Sequence, residues 1–237
     1  MASLSIITVC LNAVSGIKNT ANSIIHQTDD DIEWIVVDGQ STDGTLEYLQ
    51  KIKQVSTLIS EKDAGIYNAM NKGISASNGD YCLFLNAGDS LADSDVVRKA
   101  RPFMKKDLAI GQLRVCYPEN TEKNYVNDFK LQDIRTKYLY YRSLPHPSTF
   151  IKKSLFETFG YYDESFSIAG DHDFFARVLL LGVNKSFIPF CVSEFFMDGI
   201  STEMKNSSLL QKELKKIRKN NFTFFYRVMR AILGGMN

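Results

Sequence analysis

Four short segments of this chain hold carboxylates, amides and glycines at spacings that suit chemistry on a polar, phosphorylated ligand. The first is Asp38-Gly39-Gln40-Ser41-Thr42-Asp43-Gly44-Thr45. Asp38 follows an apolar run, where its carboxylate can accept a hydrogen bond from a base or a ribose, and Gly39 and Gly44 permit tight turns. Asp43 and Thr45 equally suit the start of a helix. The second is Asp63 followed by Asn68 and Asn71, two amides one turn apart on a helical pattern, a spacing that fits a polar ligand or a solvated face. The third is Asn86-Ala87-Gly88-Asp89. A carboxylate in such a loop can approach a hard divalent cation, which takes oxygen ligands and neutralises a diphosphate; a plain turn is the alternative. The fourth is Gly170-Asp171-His172-Asp173-Phe174-Phe175-Ala176-Arg177. Asp171 stands at a loop-to-helix junction as a general base or an N-cap, and Asp173 and Arg177 are an i, i+4 pair that can hold the helix start.

The elements between these segments dictate where they lie. Leu4–Cys10, Trp34–Val37, Val55–Ile59 and Tyr81–Leu85 are apolar runs without polar alternation, separated by helical patterns at Gly16–His26, Thr45–Ile52 and Ile66–Ser75. Such alternation predicts an α/β fold with a mostly parallel, Rossmann-like sheet flanked by helices. Ligands of such sheets bind at the carboxyl ends of the strands, where the first three segments fall. Beyond them the pattern predicts strands at Leu108–Val115, Tyr125–Phe129, Phe187–Phe190 and Val192–Phe196, and helices at Lys153–Phe159 and Asp171–Leu181. Phe129–Arg142 reads as a loop over the site, and Leu209–Lys219 and Phe222–Leu233 as two terminal helices. The expected organisation is a catalytic domain at 1–204, with a nucleotide half to about 105 and an acceptor half from 106, followed by a basic amphipathic helical tail at 205–237.

At 237 residues, 44% apolar and 23% charged, the chain has the composition of a globular domain. The net charge is +1, but residues 205–237 hold eight Lys or Arg against Glu213 alone, which leaves the rest of the chain acidic. A basic tail on an acidic body predicts a surface that meets something negative. Leu209, Leu210, Leu214 and Ile217 share one helical face beside Lys212, Lys215, Lys216 and Lys219. That face either meets an anionic inner membrane or packs on the catalytic domain or a second subunit in a homodimer. Cys10, Cys82, Cys116 and Cys191 are widely spaced, without the pairing of a zinc site. Neither a leader-like start nor an apolar run of about 18 residues is present, so the expectation is a cytoplasmic protein, peripheral at most. Nothing predicts a nucleic-acid partner.

In order, SIITVCLN, VVDGQSTDGT, EKDAGIYNAMNKGISASNGDYCLFLNAGD and GDHDFFAR resemble the family 2 glycosyltransferases with the A-type fold, over about Ser3 to Ser201. The nearest likeness is to bacterial enzymes of capsule, exopolysaccharide and O-antigen assembly. The resemblance implies an inverting transfer from a nucleotide-diphosphate sugar to a hydroxyl of a saccharide or lipid-linked acceptor, with Mn2+ or Mg2+ as cofactor. It implies that Asp38 meets the base, that Asp63 is the nucleotide-pocket acid with Asn68 nearby, and that Thr8 and Asn12 lie beneath the nucleotide. Asn86 to Asp89 takes the place of the DxD metal motif, with Asp89 as ligand and Asn86 in support. Asp171 matches the catalytic base. His146, in Leu144–Phe150, falls on the acceptor side with Asp173, and Asp198 and Ser201 belong to a loop closing over the diphosphate. Two departures stand out: Asn86 and Gly88 replace the metal motif's usual acids, and Gly170 replaces the acid before the base. A nucleotidyltransferase would carry a basic Gly-rich loop where LSIITVCLNAVSG has no basic residue, and a dehydrogenase would carry GxGxxG after the first strand. A sugar-nucleotide-binding module without catalysis would not need Asp171.

Overall fold

The structure, a computed structural model, describes residues 2–127, 134–197 and 207–223. Its first half is built from β1 (Leu4–Cys10), α1 (Val14–Ile25), β2 (Ile32–Asp38), α2 (Thr45–Leu49), β3 (Val55–Ser60), α3 (Ile66–Ala76) and β4 (Tyr81–Phe84). β1 pairs in parallel with β2 and β4, and β2 with β3. This is the parallel sheet that the unbroken apolar runs predict. Strand alternation splits the core into two layers. Ile7, Val9 and Val37 face Met70 and Ile74 of α3, whereas Leu4, Ile6, Trp34 and Val36 face Ile17, Ala21 and Ile24 of α1.

The second half contains β5 (Ser90–Leu91), α4 (Val96–Ala100), β6 (Leu108–Cys116), β7 (Tyr125–Asn127), α5 (Thr136–Tyr141), β8 (Thr149–Lys152), α6 (Ser154–Phe159), α7 (Gly170–Leu180), β9 (Lys185–Phe196) and α8 (Ser208–Asn221). Among the described residues the sheet runs β3-β2-β1-β4-β8-β6-β9-β5, with β7 on β6. β8 is antiparallel to both β4 and β6, so the sheet turns mixed where the parallel half ends.

Three differences from the sequence expectation have local causes. Residues 136–141, expected in a loop, form α5, because Leu139 is buried and seats one side of the turn on the core. The two strands expected at 187–196 are one, β9; its register against β6 shifts as Ile188 faces Gly111 and Cys191 faces Gln112, leaving Pro189 and Phe190 in a bulge. Proline cannot donate to a ladder, and a bulge accommodates it. β8 went unread because its four residues follow directly on the turn at His146–Ser148.

The described part of the tail turns most of its apolar face inward, leaving Leu209 exposed. Ile217 and Phe222 are buried in the layer that holds Phe174 and Phe175, and Leu210 and Leu214 pack against it. Of the second terminal helix expected at Phe222–Leu233, residues 224–233 lie outside the described residues. No helix among the described residues is long and apolar enough to cross a membrane.

Candidate active site

The loops after β1 and β2 are latched together at the carboxyl edge of the sheet. Asn12, in the left-handed region at φ 47, donates its backbone N–H to Ser41 Oγ at 2.8 Å and accepts the Thr42 N–H at Oδ1 at 2.9 Å. Asp43 accepts from the N–H of Val14 at 3.0 Å and the hydroxyl of Thr45 at 2.6 Å. Those bonds hold its carboxyl below its usual pKa, the Thr45 hydroxyl foremost. Asp43 therefore braces the start of α1, where negative charge is favoured.

Asp38 is fully buried under this latch. It accepts from Ser60 Oγ at 2.7 Å and Ser41 N–H at 3.1 Å, tying the loop after β2 to the end of β3. Burial, with Asp38 next, pushes the Cys10 thiol far up its pKa range and keeps it protonated. Thr8 is also fully buried, and its hydroxyl accepts from the Trp34 indole at 3.0 Å, so it lies under the site and not in it.

Gly39 separates Asp63 from Leu11. A Cβ there would come 3.1 Å from Asp63 Oδ2 and 3.3 Å from Leu11 Cδ1. Leu11 is 61% exposed, an apolar side chain at the strand edge beside an acid. Asp63 pairs with Lys72 at 2.7 Å, and Lys72 reaches Glu61 at 2.8 Å. The bond to Asp63 is the main cause of the raised Lys72 pKa. Lys72 escaped the sequence reading, although it sits one turn beyond Asn68 on α3.

The loop after β4 closes on α1. Thr20 Oγ1 lies 2.7 Å from the Asp89 carbonyl and accepts the Gly88 N–H at 3.0 Å. A Cβ on Gly16 would come 3.0 Å from Gly88 N, so α1 and the loop touch at their backbones. Gly88 has φ +109, a region that side chains rarely enter. The backbone thus accounts for glycine at position 88. Asp89 is buried, and the side-chain oxygen of Asn86 is buried with no hydrogen-bond partner. Buried polar atoms are rarely left so. A carboxylate and a free amide oxygen are hard donors that fit Mn2+ or Mg2+. Among the described residues no three His, Cys, Asp or Glu side chains gather to hold a metal without other ligands.

Asp171 is the second residue of α7, and no side chain caps that helix. Its Oδ2 accepts from Ser143 Oγ at 3.0 Å, and its Oδ1 lies 3.3 Å from Tyr67 OH. The tyrosine hydroxyl has one proton and a nearer acceptor, the Ile168 carbonyl at 2.7 Å. The carboxylate is only partly buried. The junction therefore carries an oriented carboxylate and not an N-cap.

The family model for glycosyl transferase family 2 matches residues 5–165. This chain belongs to that family. It is 30% identical over 181 residues to a PGL/p-HBAD biosynthesis glycosyltransferase of Mycobacterium bovis, covering 73% of this chain and 68% of the relative. It is 32% identical over 193 residues to an uncharacterized glycosyltransferase of Mycobacterium tuberculosis, covering 75% and 69%. Among solved structures it is similar to S. aureus TarS 1-349 in complex with UDP-GlcNAc, with a TM-score of 0.74 at 16% identity, covering 93% of this chain and 68% of that one. It is also similar to the mannosyltransferase PcManGT of Pyrobaculum calidifontis in complex with GDP-Man and Mn2+, with a TM-score of 0.66 at 18% identity, covering 92% and 64%. These likenesses show the fold.

Within this family 2 glycosyltransferase, several expected site residues are engaged elsewhere. The Asn68 and Asn71 amides both donate to Glu164, at 3.0 and 2.8 Å, and Asn71 also clasps the Tyr162 backbone. They fasten α3 to the segment before α7 and, with Glu61 and Lys72, line an open pocket beside it. Glu164 was missed because nothing in its local sequence marks it. His146, expected on the acceptor side, packs in the core: it stacks on Phe84 at 4.7 Å and meets Tyr162 OH at 2.8 Å. Burial pushes its pKa down, which keeps the ring neutral. Asp173 is buried in a pair with Arg177 at 2.9 Å. Arg177 in turn holds the carbonyls of Phe159 and Tyr161, so the pair fixes the helix start and not an acceptor. Asp198 and Ser201 lie outside the described residues.

Proposed function

We propose that this glycosyltransferase moves a sugar, with inversion, from a nucleotide-diphosphate donor to an acceptor hydroxyl, and that Asp171 is its general base. The observation that carries this reading is the Asp171 carboxylate, partly open and oriented by Ser143 without capping its helix. The acceptor oxygen forms the new bond to the anomeric carbon and yields its proton to Asp171. The bond from that carbon to the diphosphate breaks, and the nucleoside diphosphate leaves with the electron pair. No covalent sugar–enzyme intermediate is needed.

The donor would lie across the loops after β1 to β4, with its base near Asp63, Gly39 and Leu11 and its diphosphate toward Asn86 and Asp89. Asp89, with Asn86, would hold Mn2+ or Mg2+. When bound, that cation neutralises charge on the diphosphate. The donors named for TarS and PcManGT support a nucleotide sugar, and the Mn2+ of PcManGT supports a metal. The acceptor class that best suits the mycobacterial and bacterial likenesses is a surface saccharide or its lipid-linked precursor. A lipid-linked acceptor fits peripheral contact with an anionic membrane through Lys212, Lys215 and Lys219, which point outward on α8. Incubating the protein with UDP-GlcNAc, UDP-glucose, GDP-mannose and dTDP-rhamnose, each with Mn2+ and with a bacterial membrane extract supplying saccharide and lipid-linked acceptor hydroxyls, tests the reading. Release of a nucleoside diphosphate from at least one donor is expected; intact donors throughout would contradict it.

A further inference from the structure

Glu213 is the one acid in α8 and it is 6% exposed. Its side chain points away from the lysines around it and into the segment that feeds α7. There its carboxylate accepts three successive backbone N–H groups: Ser167 at 2.7 Å, Ile168 at 3.0 Å and Ala169 at 2.9 Å. A buried carboxylate is costly unless donors surround it, and backbone amides at a helix start are suited to that task. The segment gripped in this way ends two residues before Asp171. Its middle residue, Ile168, is held from both sides, because the Ile168 carbonyl accepts from the Tyr67 hydroxyl beside Asp171 Oδ1.

The same helix reaches the other support of Asp171. Arg218 Nε donates to the Tyr140 carbonyl at 3.0 Å, and its guanidinium lies 4.9 Å from the Tyr140 ring centroid. Tyr140 belongs to α5, which leads directly to Ser143, whose hydroxyl donates to Asp171 Oδ2. Asn221 closes the set with a bond to Asp173 on α7 at 2.8 Å. The stretch that leads to Ser143 and the start of α7 are therefore both fastened to α8.

We propose that α8 is a clamp for the base and that Glu213 is a positioning residue for the transfer, acting on Asp171 through the backbone of Ser167, Ile168 and Ala169, which leads directly into α7. This rests on Asp171 being the base. A small misplacement of a catalytic group costs much of its rate advantage while leaving the fold intact. Glu213→Gln keeps the shape but presents an NH2 to one of the three amides, so the grip loosens.

The test is a double-mutant cycle on the full chain. It measures nucleoside diphosphate release with Mn2+ from whichever of the four donor probes the wild type consumes. Glu213→Gln is expected to lower kcat about tenfold or more, with donor KM within about twofold. In an Asp171→Asn background the same change is expected to cost less than about twofold, because the group it positions no longer acts. Glu213→Asp, which retains the charge and shortens its reach, is read by the same criterion if the Gln variant does not fold. An equal loss in both backgrounds, or an unchanged kcat, would overturn the clamp. A near-wild-type Asp171→Asn alone would instead overturn the base, so the two failures are distinguishable.

Discussion

The ring of Tyr67 lies on Gly170 so closely that a Cβ there would come 2.8 Å from two of its carbons. Tyr67 is itself buried, and its hydroxyl is committed to Ile168. The ring therefore leaves no room for a side chain at position 170.

Gly170→Ala should consequently be harmful, although glycine to alanine inside a helix is ordinarily stabilising by about 1 kcal/mol. Overpacking against a fixed ring costs roughly 1–3 kcal/mol and displaces Tyr67 from Asp171. The expected outcome is a lower melting temperature together with reduced donor turnover. An equal or higher melting temperature would show that the ring yields freely.

Metal binding should depend on Asp89 and be tunable at Asn86. In Asp89→Ala, Mn2+ should no longer add to the thermal stabilisation given by UDP or GDP. For the wild type, a ligand at a hundred times its Kd adds about 2.7 kcal/mol. Asn86→Asp supplies a second carboxylate beside Asp89 and should lower the half-saturating Mn2+ concentration at least about threefold. Full turnover in excess EDTA would contradict the metal assignment.

For the tail, the structure separates two faces of α8. Most of the apolar face is spent on the core, so membrane contact would fall to exposed Lys212, Lys215 and Lys219, with Leu209. Each lysine near an anionic surface contributes about 1 kcal/mol. Replacing the three by Gln should therefore weaken sedimentation with phosphatidylglycerol vesicles by about a hundredfold. Unchanged binding by that variant, or none by the full chain, would sink the membrane proposal.

Much of the first half of the chain was legible in the sequence because its signals are local. Apolar runs, strand-end acids and glycines such as Gly88 report on their own backbone, and the parallel order of β1 to β4 follows from them. The second half was less legible because its signals are long-range. Nothing near Glu164 reveals that two amides of α3 will close on it, and nothing near Glu213 reveals three amides from another segment. The resemblance put His146 on the acceptor side, yet Phe84 and Tyr162 pack against its ring. The amphipathic pattern of α8 was visible, but a basic helix with an apolar stripe suits a membrane or a core alike. Burial of Glu213 and Ile217 decides for the core.

The central claim is that Asp171 takes the acceptor's proton, and Asp171→Asn tests it most directly. Asn preserves the shape and can still accept from Ser143, and no cap is lost because Asp171 caps nothing. Melting temperature and nucleotide affinity should stay near wild type, while transfer falls by at least about a hundredfold, the contribution expected of a positioned general base. Turnover within a few-fold of wild type, measured on the same purified protein, would contradict the account and leave the oriented carboxylate without its proposed role.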